Sequence, residues 1–251
     1  MSEVELSPAE RFAKAKKNKS YPLVESFVKL LKFPMDEFQE QACRALAEGK
    51  GVLVAAPTGA GKTIVGEFAI HLALEKNLKV FYTTPIKALS NQKYAEMVKR
   101  YGAERVGLLT GDTNQNSDAQ IVVMTTEVLR NMIYANSEAL MNLGYVVMDE
   151  VHYLADRFRG AVWEEVILHL PKDVKIVSLS ATVSNAEEFG AWLDEVRGDT
   201  QIIEVSAKAR TGLDDLLDDV AGHGFKVAGF HAVGSTAGGE SADGSGVAEH
   251  F

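Results

Sequence analysis

VLVAAPTGAGKTIVGEFAI, residues 52–70, reads as a strand, a glycine-bearing loop and a helix in immediate succession. The four apolar residues 52–55 predict a buried strand, and residues 63–74 predict a helix. Between them, APTGAGKT (56–63) fits the Walker A arrangement, with alanine at the first glycine position. Gly59 and Gly61 let the backbone turn tightly and approach a ligand with no Cβ in the way. Successive backbone amides, with the positive end of a helix that begins near Lys62, form an anion nest. Pro57, Thr58, Gly59, Ala60, Gly61, Lys62 and Thr63 are therefore the candidate phosphate cradle. Lys62 supplies a mobile charge for β and γ phosphates, and Thr63 a hydroxyl for Mg²⁺.

Outward from this loop the text alternates. Apolar runs at 80–83, 106–109, 121–125, 145–148, 176–179 and 202–205 predict further strands. Helix-like segments at 88–100, 127–134, 162–170 and 185–196 fall among them. Nearly unbroken Val/Ile/Leu strands alternating with amphipathic helices predict an α/β fold, a parallel sheet with helices on both faces. Ligands in such folds sit beyond the carboxyl ends of the strands. At that end, the run 145–148 stops at two adjacent carboxylates, Asp149 and Glu150. An acid pair there suits a strand meeting water, or a metal-and-water site. With the cradle present, the second reading prevails: Asp149 holds Mg²⁺ and Glu150 orients and deprotonates the attacking water.

Composition bounds the setting. With 46% hydrophobic and 24% charged residues, the chain reads as an ordinary globular protein. A formal charge of −9 argues against bulk electrostatic binding of nucleic acid, although it leaves room for a local basic track. Residues 11–32 carry seven Lys or Arg against Glu25 alone, a solvated basic helix or a nucleic-acid contact. Cys43 is the only cysteine, so no intramolecular disulfide forms and a cysteine-based zinc site is disfavoured. No apolar run approaches membrane-spanning length and the N-terminus lacks an apolar signal core, which points to the cytoplasm and away from a membrane partner.

Together, APTGAGKT, DEVH (149–152) and SAT (180–182) resemble motifs I, II and III of a superfamily 2 helicase. FPMDEFQ (33–39) is similar to the adenine motif of the DEVH-box RNA helicase branch, and TTPIKALSNQK (83–93), LTGD (109–112) and TTEVLRNM (125–132) to its nucleic-acid motifs. Residues 33–204 thus resemble a first RecA-like domain of the HelY type. The resemblance implies an ATP-dependent helicase whose partner is single-stranded RNA (or DNA). It implies that Phe33 stacks on adenine, that Gln39 bonds the adenine edge, and that Lys62, Glu150 and His152 serve catalysis. Pro85, Lys87, Thr110, Gly111, Thr125 and Thr126 would contact strand phosphates, gripping the backbone without reading bases. Ser180 and Thr182 would relay nucleotide state to that face.

The expected organisation is a basic N-terminal arm (1–32), the RecA-like domain (33–204) and a divergent tail (205–251). The tail holds nine of the 21 glycines and ends in a Gly/Ser-rich run expected not to fold. Within it, IIEVSAKARTGLDDLLDDV (202–220) resembles a segment of a GTP-binding translation factor, but no NKxD element accompanies it. A second RecA-like domain, expected in a complete helicase, is not among these residues. Unwinding by the chain alone is therefore not expected, and the alternative is a nucleotide-responsive binding module without turnover.

Overall fold

In a computed structural model, residues 20–152, 160–181 and 186–204 are described. Eight strands form one sheet: β1 (Gly51–Ala55), β2 (Lys79–Thr84), β3 (Val106–Thr110), β4 (Thr113–Gln115), β5 (Ile121–Thr125), β6 (Leu143–Met148), β7 (Lys175–Ser180) and β8 (Thr200–Glu204). Their order across the sheet is β4-β3-β5-β2-β6-β7-β1-β8. Every pairing is parallel except that of β3 with β4.

The reason lies in the alternation hidden within each apolar run. Side chains point to opposite faces at every step along a strand. Val52, Val54, Val80, Tyr82, Val123 and Val147 enter one core, whereas Leu53, Phe81, Val122, Met124, Val146 and Met148 enter the other. Both sets are fully or nearly fully buried, so the strands read as nearly continuous hydrophobic text, with the buried Thr83 and Ser178 among the exceptions. The first core is covered by α1 (Pro22–Val28), α2 (Glu37–Ala47), α3 (Thr63–Glu75) and α4 (Lys87–Tyr101). The second is covered by α5 (Thr126–Tyr134), α6 (Gly160–His169) and α7 (Ala186–Arg197). Gly66 on α3 permits the closest approach to the sheet, since a Cβ there would lie 3.1 Å from Val147 and 3.3 Å from the Tyr82 ring.

The expected strands and helices all form, with ends moved by a residue or two. Elements beyond those expected also form, including α2 and a short 3-10 turn at Glu138–Leu140, and two of them bear on the fold. β4 is a short antiparallel edge strand of Thr, Asn and Gln. Its polar side chains carry no apolar signature and suit an edge that must not pair further. The other is α1, inside residues expected as a basic arm. Its Val24 and Phe27 are buried, Phe27 lies 5.2 Å from Phe68 of α3 in centroid distance, and Ser26 Oγ bonds His71 Nε2 at 2.9 Å. Apolar packing therefore begins upstream of Phe33, at Tyr21. Residues 1–19, and the whole tail from Val205, lie outside the described residues.

One buried charge ties α6 to α7. The Arg197 guanidinium, 7% exposed, donates to the carbonyls of Leu170 (2.7 Å), Pro171 (2.8 Å) and Val174 (2.8 Å). Those carbonyls follow the C-terminal end of α6, where helical carbonyls run out of partners. Replacing Arg197 by Met removes its bonds to the carbonyls of the buried Leu170 and Val174, and is expected to lower unfolding free energy by about 2–4 kcal/mol in denaturant titration. Arg197→Lys recovers only part, because an ammonium does not reproduce the fork. Loss below about 0.5 kcal/mol for Arg197→Met contradicts this role.

Candidate functional site

All the candidate chemistry lies on the carboxyl rim of the sheet. The loop after β1 turns through Gly59 (φ 85°) and Gly61 (φ 82°), both in the left-handed region that favours glycine. Gly61 has a second constraint, because a Cβ would fall 2.6 Å from Gln39 Nε2. Helix α3 starts at Thr63 with Lys62 as its N-cap residue. The Lys62 ammonium donates to the carbonyls of Ala56 (2.7 Å) and Pro57 (3.1 Å), which anchors the charge over its own loop. Burial lowers its pKa from the ordinary lysine value, while Glu150 and then Asp149 oppose that shift.

Those acids follow β6. Asp149 N–H donates to the Thr83 carbonyl (2.9 Å), the last rung before the chain leaves the sheet. Its Oδ1 accepts from Glu150 N–H (3.0 Å) and its Oδ2 from the Tyr82 hydroxyl (2.6 Å). Burial first, then the charge of Asp149, pushes the Tyr82 phenol well above its ordinary pKa, so it remains a donor. Glu150 has φ 56°, a strained backbone for a non-glycine residue. Its Oε2 lies 3.1 Å from His152 Nδ1. Lys62, Thr63, Asp149 and Glu150 all line one cavity of about 350 Å³, together with Thr58, Gly59 and Gly61. A cavity of that size suits a small-molecule ligand.

Sequence reasoning missed the opposite wall, formed by Leu89, Gln92 and Lys93 of α4. Gln92 and Lys93 lie in TTPIKALSNQK, read only as a nucleic-acid motif. Its helical period, which turns residues 89, 92 and 93 to one face, was the available signal. Gln39 and Phe33 stand apart from the cavity lining. Gln39 is buried; its Nε2 donates to the Gly61 carbonyl (3.1 Å) and its Oε1 accepts from Asp36 N–H (2.9 Å). Phe33 is 53% exposed. Gln39 thus braces the glycine loop from behind, through bonds to backbone.

The residues expected to meet a strand follow β2, β3 and β5, three consecutive strands of the sheet, so they share a continuous rim. Pro85, Thr110, Thr125 and Thr126 are buried, and Thr126 donates to the Thr84 carbonyl (3.3 Å). Lys87 is exposed and pairs with Asp112, whose other oxygen accepts from Thr110 (3.0 Å). The Lys87 bond, then the Thr110 bond, lowers the Asp112 carboxyl pKa. Gly111 leaves open space where a side chain would stand. Ser180, at the end of β7, is buried and its carbonyl accepts from Ala56 N–H (3.2 Å), which joins β7 to the phosphate loop. Thr182 lies outside the described residues.

A mostly parallel sheet with a glycine loop after β1 and an acid pair after β6 defines a RecA-like P-loop domain. The chain belongs to the DEAD/DEAH box helicase family, whose pattern matches residues 36–189, and it is a first RecA-like domain of the superfamily 2 DExH helicase kind. It is 67% identical over 177 residues to the "Probable helicase HelY" of Mycobacterium leprae, covering 70% of this chain and 19% of that protein. It is 47% identical over 172 residues to the mouse "Exosome RNA helicase MTR4", covering 68% and 16% respectively. The chain therefore spans about a fifth of the length of such relatives. A solved structure described as a hypothetical ATP-dependent RNA helicase from Sulfolobus tokodaii shares the fold, with a TM-score of 0.57 at 22% identity, covering 74% of this chain and 57% of that one. Among the described residues, no helix is long and apolar enough to cross a membrane.

Proposed function

We propose that residues 33–204 form the ATP-binding motor domain of an ATP-dependent RNA helicase, gripping a single strand along the β3-β5-β2 rim. Residues 205–251 would be a separate tail. The observation that carries this reading is the convergence of Lys62 and Thr63 with Asp149 and Glu150 on a single cavity.

In this reading the amides of 58–63 and the Lys62 ammonium hold the β and γ phosphates. Thr63 and Asp149 would hold Mg²⁺. The donor set fits it: the Thr63 hydroxyl and the Asp149 carboxylate both line the cavity, with Glu150 beside them, and among the described residues no cluster of three or more Asp, Glu, His or Cys is set to hold a metal. Such a site leaves most oxygens to phosphate and water, as Mg²⁺ prefers. When bound, the ion would neutralise developing phosphate charge. Glu150, beside His152, accepts the proton of the attacking water as its oxygen bonds to the γ phosphorus and ADP departs. Phe33 and Gln39 are assigned to the adenine end, Gln39 acting through the glycine loop it already touches. Ser180 and Thr182 relay nucleotide state, Ser180 through its bond to Ala56.

No arginine lines the cavity among the described residues. An arginine reaching the γ phosphate is worth roughly 10³–10⁵ in turnover. Hydrolysis by this chain alone is accordingly slow, while binding persists. RNA is favoured over DNA because relatives such as the mouse protein are named RNA helicases.

Titration with a fluorescent ATP analogue and Mg²⁺ is expected to show saturable binding, weakened at least about tenfold in Lys62→Ala and preserved within about twofold in Glu150→Gln, whose phosphate release is lost. No binding at millimolar analogue by the folded chain contradicts the assignment. On the rim, Asp112 competes with strand phosphates for Lys87. Asp112→Asn is expected to tighten single-stranded RNA binding about two- to fivefold at low salt, in fluorescence anisotropy. Unchanged or weaker binding contradicts a phosphate role for Lys87.

A further inference from the structure

Tyr82 has no part in the functional reading above, yet it makes a contact that reaches directly into the site. It is the fourth residue of β2, fully buried, and faces the core shared with α3. Its ring is fixed on two sides. Gly66 of α3 leaves room for it, a Cβ there falling 3.3 Å from the Tyr82 ring, and the Lys93 ammonium of α4 lies 5.6 Å from the ring centroid. β2 and β6 pair directly, with Tyr82 opposite Val147. This register sets the hydroxyl at the level where the chain emerges from β6. The hydroxyl donates to Asp149 Oδ2 at 2.6 Å.

Packing alone does not call for this hydroxyl. The same core is built mainly of Val, Leu, Ile, Phe and Ala, and a phenylalanine fills nearly the same volume. A buried hydroxyl costs stability unless it is bonded. Here its bond is to a carboxylate, a charge-assisted bond of the stronger kind. The other Asp149 oxygen is held by Glu150 N–H at 3.0 Å. The carboxylate is thus gripped at both oxygens, one grip coming from a fully buried side chain.

We propose that Tyr82 is a positioning residue for the cation-holding carboxylate, its hydroxyl fixing the rotation of Asp149 so that the carboxylate meets the divalent cation already aligned. This rests on the reading that Asp149 is the cation ligand. A ligand held in place by an outer partner binds without first losing rotational freedom, and removing such partners weakens metal affinity by roughly 10–100-fold in other sites. Tyr82 touches neither nucleotide nor reacting atoms, so its influence passes through Asp149.

The test uses the 251-residue chain and the variants Tyr82→Phe, Asp149→Asn and the two combined. Each is first shown to be folded by circular dichroism. A fluorescent ATP analogue is titrated in EDTA, and the Mg²⁺ concentration for half-maximal enhancement of binding is then measured. Tyr82→Phe is expected to keep metal-free affinity within about twofold of the parent while raising the half-maximal Mg²⁺ roughly fivefold or more. In the Asp149→Asn background the same substitution should add less than about twofold, since the group it acts through has changed. If Asp149→Asn raises the Mg²⁺ requirement and Tyr82→Phe does not, the positioning role is overturned and the site assignment survives. An effect of Tyr82→Phe that is undiminished beside Asp149→Asn, or that appears equally in EDTA, assigns Tyr82 to packing and overturns the proposal. If Asp149→Asn itself leaves the Mg²⁺ requirement unchanged, the underlying cation assignment fails with it.

Discussion

Parallel strands all deliver their carboxyl ends to the same rim, and that constraint places the chemistry of this domain. β1 and β6 are separated in the sheet only by β7, so the loop after β1 and the acids after β6 open on a shared space. β2, β5 and β3 continue the same rim on the other side of β6. The proposed nucleotide cavity and the proposed strand-binding edge therefore stand side by side because of strand order. The bond from Ala56 N–H to the Ser180 carbonyl shows how short the route is between adjacent tips.

The rim holds charge at a cost that neighbouring groups offset. Lys62 is partly withdrawn from water, which works against its proton, and the two carboxylates opposite work in its favour. Glu150 keeps a left-handed backbone that is worth about 1 kcal/mol or more of strain. Such strain persists only where surrounding bonds over-determine the geometry, and here the Asp149 carboxylate, the Tyr82 phenol and the Thr83 carbonyl do so. The cores behind the rim supply the stiffness. Strands buried on both faces and a helix seated on Gly66 leave the tips little freedom to drift.

Most of the sheet was legible in the sequence because burial on both faces leaves β1, β2, β5 and β6 largely apolar, with polar residues gathering towards the carboxyl ends of β2 and β5. The phosphate loop was legible for a different reason: few residue combinations satisfy positive φ at Gly59 and Gly61 and a helix opening at Thr63. β4 was not legible, since Thr113–Gln115 owes its pairing to β3 and not to its own side chains. Tyr82 was read as one more apolar strand residue. Its partner stands 67 positions away, and only the β2–β6 register brings the two together. Gln39 was legible as a polar residue with a purpose, but the Gly61 carbonyl it braces is a backbone atom and leaves no mark in the text.

The most direct trial of the central claim is a crystal structure of the chain with a non-hydrolysable ATP analogue and Mn²⁺, located by its anomalous signal. The expected result is one metal peak in contact with Thr63 and Asp149, with the γ phosphate beside the Lys62 ammonium and Glu150. A nucleotide bound away from the loop after β1, or a metal peak remote from Asp149, would contradict it.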